Sequence, residues 1–223
     1  MDVLWFLKER TKFIRRYYQT AEVPFRETIR KIEAEEEPYV PPYSEDPEPA
    51  FLAEWQEADT SLEILGATCI AMLSASLKLY FSTWEGQLRL ECQRHCKAAF
   101  RKGFVNGYKK CFGEVLQTDW SDCPADFDIL EQIVMARNDA QHPIDIIFMY
   151  MHHHESLQEK FPSPIFISDI EKRMIETDQQ VWPNLKLVVT KEALFEAIGQ
   201  VEILAEWMEG RLFGVLYPGA LYR

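Results

Sequence analysis

The chain lacks most of the short devices that announce a chemistry. Among its 223 residues there is no glycine-rich phosphate loop, no HExxH pair and no serine nucleophile elbow. P-loop nucleotide chemistry, zinc proteolysis and α/β-hydrolase catalysis therefore have no support. Cysteine is sparse: Cys69, Cys92, Cys96, Cys111 and Cys123 are odd in number and follow no framework spacing. That argues against a disulfide scaffold and for reduced thiols in a cytoplasm. Long hydrophobic runs are missing too. The longest uncharged apolar run, Ile64–Leu77, has 14 residues and many small side chains, which is short for a membrane span and suits a buried helix. The opening "MDVLWFLKERTKFIRR" puts its apolar residues before its basic ones, the reverse of a secretory signal. Positive charge is in deficit: 24 Lys and Arg face 36 Asp and Glu, a net charge of −12. Broad, non-specific nucleic-acid binding is disfavoured by that balance.

What is present is an ordinary globular composition, 47% apolar, enough for a sizeable core. The length suits a single helical domain over 1–223, divided into an N-terminal helical segment (1–36), a Pro- and acid-rich connection (37–50) and a bundle (51–223). The basic residues are clustered. Residues 8–31 hold eight Lys/Arg against Glu9, Glu22 and Glu27, and residues 89–110 hold seven against Glu91. Side by side these segments would make a positive surface on an acidic protein; separately they are solvated helix faces.

Apolar residues recur at helical spacing through most of the chain. A helix is expected over about 2–20. A second, opened by Pro24, follows to about Glu36. A third spans about 51–81 before Gly86 interrupts it. Its stripe runs through Leu65, Cys69, Leu73 and Tyr80, and Gly66, Ala67, Ala71, Ser74 and Ala75 allow close approach. Further helices are expected near 104–117, from a first turn at Pro124, with Asp126 and Asp128 at its dipole end, to His142 where Pro143 stops it, around "IIFMYM", and over "KEALFEAIGQVEILAEWMEGRLF". The last has Leu194, Ile198, Val201, Leu204 and Met208 inward and Thr190 as its N-cap. "SPIFISD" and "LKLVVT" are short and β-branched, fit for a small two-stranded ribbon. The fold class is all-α, a bundle of four or more long helices.

One stretch breaks the apolar logic: "ARNDAQHP", residues 136–143. Counting from Leu130 through Ile133 and Val134, Arg137 falls on the continuing apolar stripe, where a guanidinium is costly unless paired. Asn138 and His142 are four apart and share a neighbouring face. Arg137 and His142 are five apart, about 140° around the helix, close enough for long side chains to meet in one cleft. His142 lies in the last turn, where the helix dipole favours an imidazolium and hence general acid work. The plainer alternative is an Arg137 paired with an internal carboxylate and a His142 that caps the last carbonyls.

The hexad "RNDAQH", from Arg137 to His142, resembles the signature of the HEPN superfamily: Arg, four to six residues, then His, often with Asn directly after the Arg. "EWQEADTSLEILGATCIAMLSASLKLYFSTWE" is similar to the long preceding helix of uncharacterised bacterial members, and the resemblance covers about 51–212. It implies a HEPN-like helical bundle working as a homodimer, with two motifs facing each other. The activity it implies is metal-independent endoribonuclease cleavage to 2′,3′-cyclic phosphate ends, by a toxin or phage-defence effector. By position His142 would be the general acid or base, Arg137 the phosphate-binding cation, and Asn138 an orienting group. No cofactor and no metal are implied. The partners would be RNA, a second copy, and an antitoxin or regulatory protein. The superfamily also has members without nuclease activity, so a dimerisation, nucleotide-binding or protein-interaction module is the alternative.

Other constellations are weaker. In "MHHHE" three consecutive histidines point three ways in a helix, and in a strand only His152 and His154 share a face, so a solvated cluster is expected rather than a metal site. Cys92, His95 and Cys96 lie within one turn, but no second close pair completes a zinc site. The six tryptophans read as core and interface residues. A membrane-surface role for the basic, aromatic first helix is a minor alternative.

Overall fold

A computed structural model describes residues 2–43, 48–142, 151–177, 179 and 185–217. It is all-α: α1 (Val3–Glu33), α2 (Leu52–Gln87), α3 (Cys92–His95), α4 (Lys97–Phe100), α5 (Phe104–Leu116), α6 (Phe127–Gln141), α7 (Leu157–Lys160), α8 (Asp169–Glu176) and α9 (Lys191–Leu216), with no strand among the described residues. The four long helices α1, α2, α6 and α9 form the bundle. Helix α2 packs against the other three, α9 also meets all three, and α5 lies against α6 and α9.

The core is what the apolar spacing dictates. Leu7, Ile14 and Tyr18 of α1, Ile70, Leu73 and Leu77 of α2, and Leu130 and Ile133 of α6 are buried in one cluster with Leu194, Ile198 and Val201 of α9. The N-terminal segment is thus part of the core. It is also one helix rather than two. Pro24 sits inside α1 on its exposed side, so the carbonyl it frees one turn back can face water and the helix continues. Helix α2 likewise runs through Gly86, whose surroundings are open.

Gly66 has a partner other than a helix. A Cβ there would lie 2.6 Å from the Val189 carbonyl oxygen, so the "LKLVVT" segment crosses α2 at this glycine. That segment forms no ribbon strand. His152 and Lys186 make an isolated antiparallel bridge. The Val188 amide donates to the Phe166 carbonyl at 3.0 Å, a single link to "SPIFISD". A small second cluster, Leu157, Phe161, Ile167 and Leu185, packs on Met135 of α6. The expected "IIFMYM" helix, 146–151, lies outside the described residues except for Met151.

Helix α2 is long and apolar enough to cross a membrane, yet 61% of its most apolar window is buried inside the protein. Burial of that kind is what a core helix requires.

The cysteines overturn the reduced-thiol expectation. Cys92 of α3 and Cys111 of α5 form a disulfide, their Cα atoms 5.5 Å apart; Cys69, Cys96 and Cys123 are free. Nineteen positions of sequence separation conceal that α3 is laid onto α5. Closing a loop of this length stabilises by about 3 kcal/mol. Reducing the folded protein is therefore expected to raise the titratable thiols of the denatured chain from three to five and to lower Tm by roughly 6–12 °C. A melting curve that does not move once five thiols are free would remove the bond from the stability of the fold.

Candidate active site

Helix α6 carries the motif, and its start is well specified. The Asp126 side chain accepts from the amides of Asp128 and Ile129 at 2.8 and 3.1 Å, an N-cap that fixes where the helix begins. Its buried stripe is Ile129, Leu130, Ile133 and Ala136. The residue that continues the stripe is thus Ala136, not Arg137. Arg137 flanks the stripe, half-buried, and its Nη1 donates to the Asn138 Oδ1 at 2.9 Å. Among the described residues no carboxylate forms an ion pair with it. Asn138 is exposed, and His142 is the exposed C-cap residue, its amide donating to the Asn138 carbonyl at 3.0 Å. The imidazole of His142 is thus in solvent at the helix end.

The fourth polar residue of the hexad behaves differently. Asp139 Oδ2 lies 2.8 Å from Nδ1 of His153, and Nε2 of the same ring lies 2.8 Å from the Phe166 carbonyl oxygen. His153 is 1% exposed. A carbonyl only accepts, so Nε2 carries a hydrogen, and the contact between Nδ1 and a carboxylate oxygen requires another. Asp139 and His153 together form a net-neutral, buried, proton-sharing pair. It ties the last turn of α6 to the chain beyond it. The solvated reading of "MHHHE" is therefore wrong at its centre. The bridge at His152 makes the backbone locally extended, so alternate side chains face opposite ways. His153 turns in; His154 is exposed and contacts Ser156.

Glu131, one of α6's inward polar residues, is the second residue that sequence reasoning passed over. Its two carboxylate oxygens accept from the amides of Phe104 and Val105 at 2.8 Å each. It caps α5 from a neighbouring helix, where free amides and the dipole both favour an anion. Gly103 makes room for it, since a Cβ there would lie 2.7 Å from the carboxylate carbon. Glu131→Gln keeps the shape but turns one acceptor into a donor facing an amide. The expected loss is about 1.5–3 kcal/mol, read as a lower urea midpoint at unchanged m-value. An unshifted midpoint would mean the cap contributes nothing. The only sequence signal was a charged residue interrupting α6's apolar face.

A groove of about 580 Å³ opens beside the motif. It is walled by Arg101–Asn106 at the start of α5, by α6 as far as Asn138, and by Lys160 and Phe161. Asn138 lines it; Arg137 and His142 do not. The two basic segments fare differently. In α1, Lys8 and Arg15 pair with Glu206 and Glu202 of α9, and Arg26 and Arg30 pair with glutamates near them in sequence. Glu22, 4% exposed, holds Arg26 and also Lys191. Burial pushes its carboxyl up, but hydrogen bonds from Lys191 and Arg26 outweigh this and hold it below the usual range. The charge of 8–31 is thus largely matched by glutamates, and two of those pairs, from Lys8 and Arg15, join α1 to α9. Segment 89–110 instead presents exposed Arg101 and Lys102 to the groove.

No group of three or more His, Cys, Asp and Glu residues able to hold a metal occurs among the described residues. The zinc reading of Cys92 and Cys96 fails directly, because Cys92 is in the disulfide.

No protein-family model matches the chain, and neither a curated protein nor a solved structure matches it significantly.

Proposed function

We propose that the chain is a metal-independent endoribonuclease of the HEPN type, with Arg137, Asn138 and His142 as its site. The observation that supports this most is the state of the hexad. The His142 imidazole is exposed at the end of α6, and Arg137 donates to the neighbouring Asn138 and, among the described residues, pairs with no internal acid. Polar side chains already consumed by structure would leave nothing for a substrate. Among the described residues, Asp139 is the one hexad side chain tied to a residue outside the hexad.

In the proposed reaction His142 takes the proton from an RNA 2′-hydroxyl. The 2′-oxygen attacks the adjacent phosphorus, the bond to the 5′-oxygen breaks, and that oxygen leaves with a proton supplied by an imidazolium. Arg137 offsets the charge that builds on the phosphate oxygens, for which its forked donors are suited. Asn138 holds the Arg137 guanidinium in place. The product ends are a 2′,3′-cyclic phosphate and a 5′-hydroxyl. In a homodimer with facing motifs one protomer's imidazole can act as base and the other's as acid. A toxin or phage-defence role, an antitoxin or regulatory partner and a cytoplasmic location belong to the same reading. The Cys92–Cys111 disulfide strains the last of these, since cytoplasmic thiols are normally kept reduced.

The test is cleavage of several purified RNAs by the wild-type protein in excess EDTA, with analysis of product ends. Cyclic-phosphate ends are expected. No cleavage after removal of any co-purifying partner would sink the proposal.

A second reading, a non-catalytic interaction module, has one observation in its favour. Trp5, Phe6, Phe13 and Tyr17 of α1 are 41–58% exposed, an apolar row suited to a protein partner. Helices α1 and α6 each pack on α2 and α9 rather than along one another. A partner on α1 would therefore leave the motif uncovered.

A further inference from the structure

We infer that the groove lined at one end by Asn138 is a binding track for single-stranded RNA that leads up to the residues that would cut it; the inference rests on the nuclease reading for its purpose but not for its geometry. Three cations face the groove: Arg101, Lys102 and Lys160. All three are exposed, and among the described residues none is held in an ion pair. That sets them apart from the basic residues of α1, most of which are matched to glutamates. Two acids border the same space, Asp128 and Glu131. Glu131 is already engaged by the α5 amides, which leaves Asp128 as the one acid free to oppose an incoming phosphate.

The walls are aromatic as well as basic. Phe100 and Phe104 are half-buried and lie edge to face, centroids 6.5 Å apart, so part of each ring borders the groove. Rings that a base can stack on, beside cations that track a backbone, are the two parts a single-strand groove needs. A duplex would hide its base faces and could use only the cations. An acidic peptide would use the cations and ignore the rings.

The track also has length and direction. A second depression of about 410 Å³ shares Lys102 and Asn106 with the first and continues past His95 to Lys110 and Glu114, which pair with each other at 3.0 Å. The two together run along α5 from Glu114 back to its start and end at Asn138, one residue from Arg137. A strand lying in them would be led towards the hexad. This addresses how a chain of net charge −12 could hold RNA: the charge that matters is local, because most of α1's cations are matched to glutamates, whereas Arg101, Lys102 and Lys160 are in no ion pair among the described residues.

The experiment measures binding without cleavage. A fluorescein-labelled, 2′-O-methyl 12-mer oligouridylate cannot be cut through its 2′-oxygens and serves as the probe with otherwise wild-type protein. Binding is expected, with log K falling against log salt at a slope of about −2, since each of three phosphate contacts contributes roughly −0.7 on a single strand. Replacing all three cations (Arg101→Glu, Lys102→Glu, Lys160→Glu) should weaken binding at least tenfold and flatten the slope. The neutral set (Arg101→Gln, Lys102→Gln, Lys160→Gln) should fall between. All three sites are exposed, so melting curves should match the wild type. Equal affinity of the reversed variant and the wild type, or no binding by the wild type, overturns the inference. Equal binding of a 12-base-pair duplex, or full competition by polyglutamate, overturns the single-strand assignment. Cleavage of unmodified RNA separates this from the nuclease reading. A wild type that binds in the groove but never cuts sinks the nuclease and keeps the track. A reversed variant that cuts with unchanged KM keeps the nuclease and sinks the track.

Discussion

His153→Ala is expected to remove about 3–5 kcal/mol from the unfolding free energy, the cost of stripping one partner from a buried ionic pair. The ring's two nitrogens engage Asp139 and the Phe166 carbonyl at 2.8 Å each. Its loss leaves the carboxylate of Asp139, whose side chain is 13% exposed, without its proton-sharing partner. It also leaves a buried carbonyl without a donor and a void the size of an imidazole. Domains of this kind are stable by roughly 5–15 kcal/mol, so the variant should sit close to unfolding at room temperature. Asp139→Ala should lose a comparable amount, and the double variant much less than the sum, because the two changes remove one shared interaction. Urea unfolding of the four proteins measures this. A loss under about 1 kcal/mol for His153→Ala, or losses that simply add, would mean the pair is not a unit.

The other histidine of the region should behave oppositely. His142→Ala removes an exposed side chain at a helix end, so stability should stay within about 0.5 kcal/mol of the wild type. RNA cleavage, however, should fall by roughly 10²–10⁴-fold, the usual contribution of a positioned general acid or base. The check is initial rates in EDTA on one RNA substrate, with the urea midpoint measured on the same preparation. Cleavage undiminished in a folded His142→Ala protein would strike out the acid–base assignment. A parallel loss of activity and stability would instead make His142 a structural cap. The contrast between His142 and His153 is the useful control, since the two lie eleven positions apart and one touches solvent while the other does not.

Much of the architecture was legible in the sequence, for a local reason. Helical spacing of apolar residues is a property of neighbouring positions, so the inward stripe of α9, from Leu194 through Met208, and its Thr190 cap read directly from the residues. The beginning of α6 was legible less closely: Pro124 suits a first turn, yet Asp126 is the cap and the helix starts after it. Errors came where a breaker residue met a longer helix. Pro24 and Gly86 weaken a helix in isolation, but α1 and α2 are stabilised along their length by packing, and tertiary burial overrides local propensity.

The hexad divides the same way. Sequence alone determined that Arg137, Asn138 and His142 lie together near the end of one helix, because their separation in residues sets their positions along and around it. It determined too that the basic residues cluster in 8–31 and 89–110. Only the tertiary structure decided which side of α6 the core would take, with Ala136 rather than Arg137 inward, as the cost of burying a guanidinium favours. Only the fold placed Glu131 on the amides of α5, His153 on Asp139, and Cys92 on Cys111. Each joins segments 14 to 27 positions apart. Spacing within a chain carries no record of such meetings. They are set by which surfaces must be buried against each other, and by the need of every buried donor, acceptor and charge for a partner.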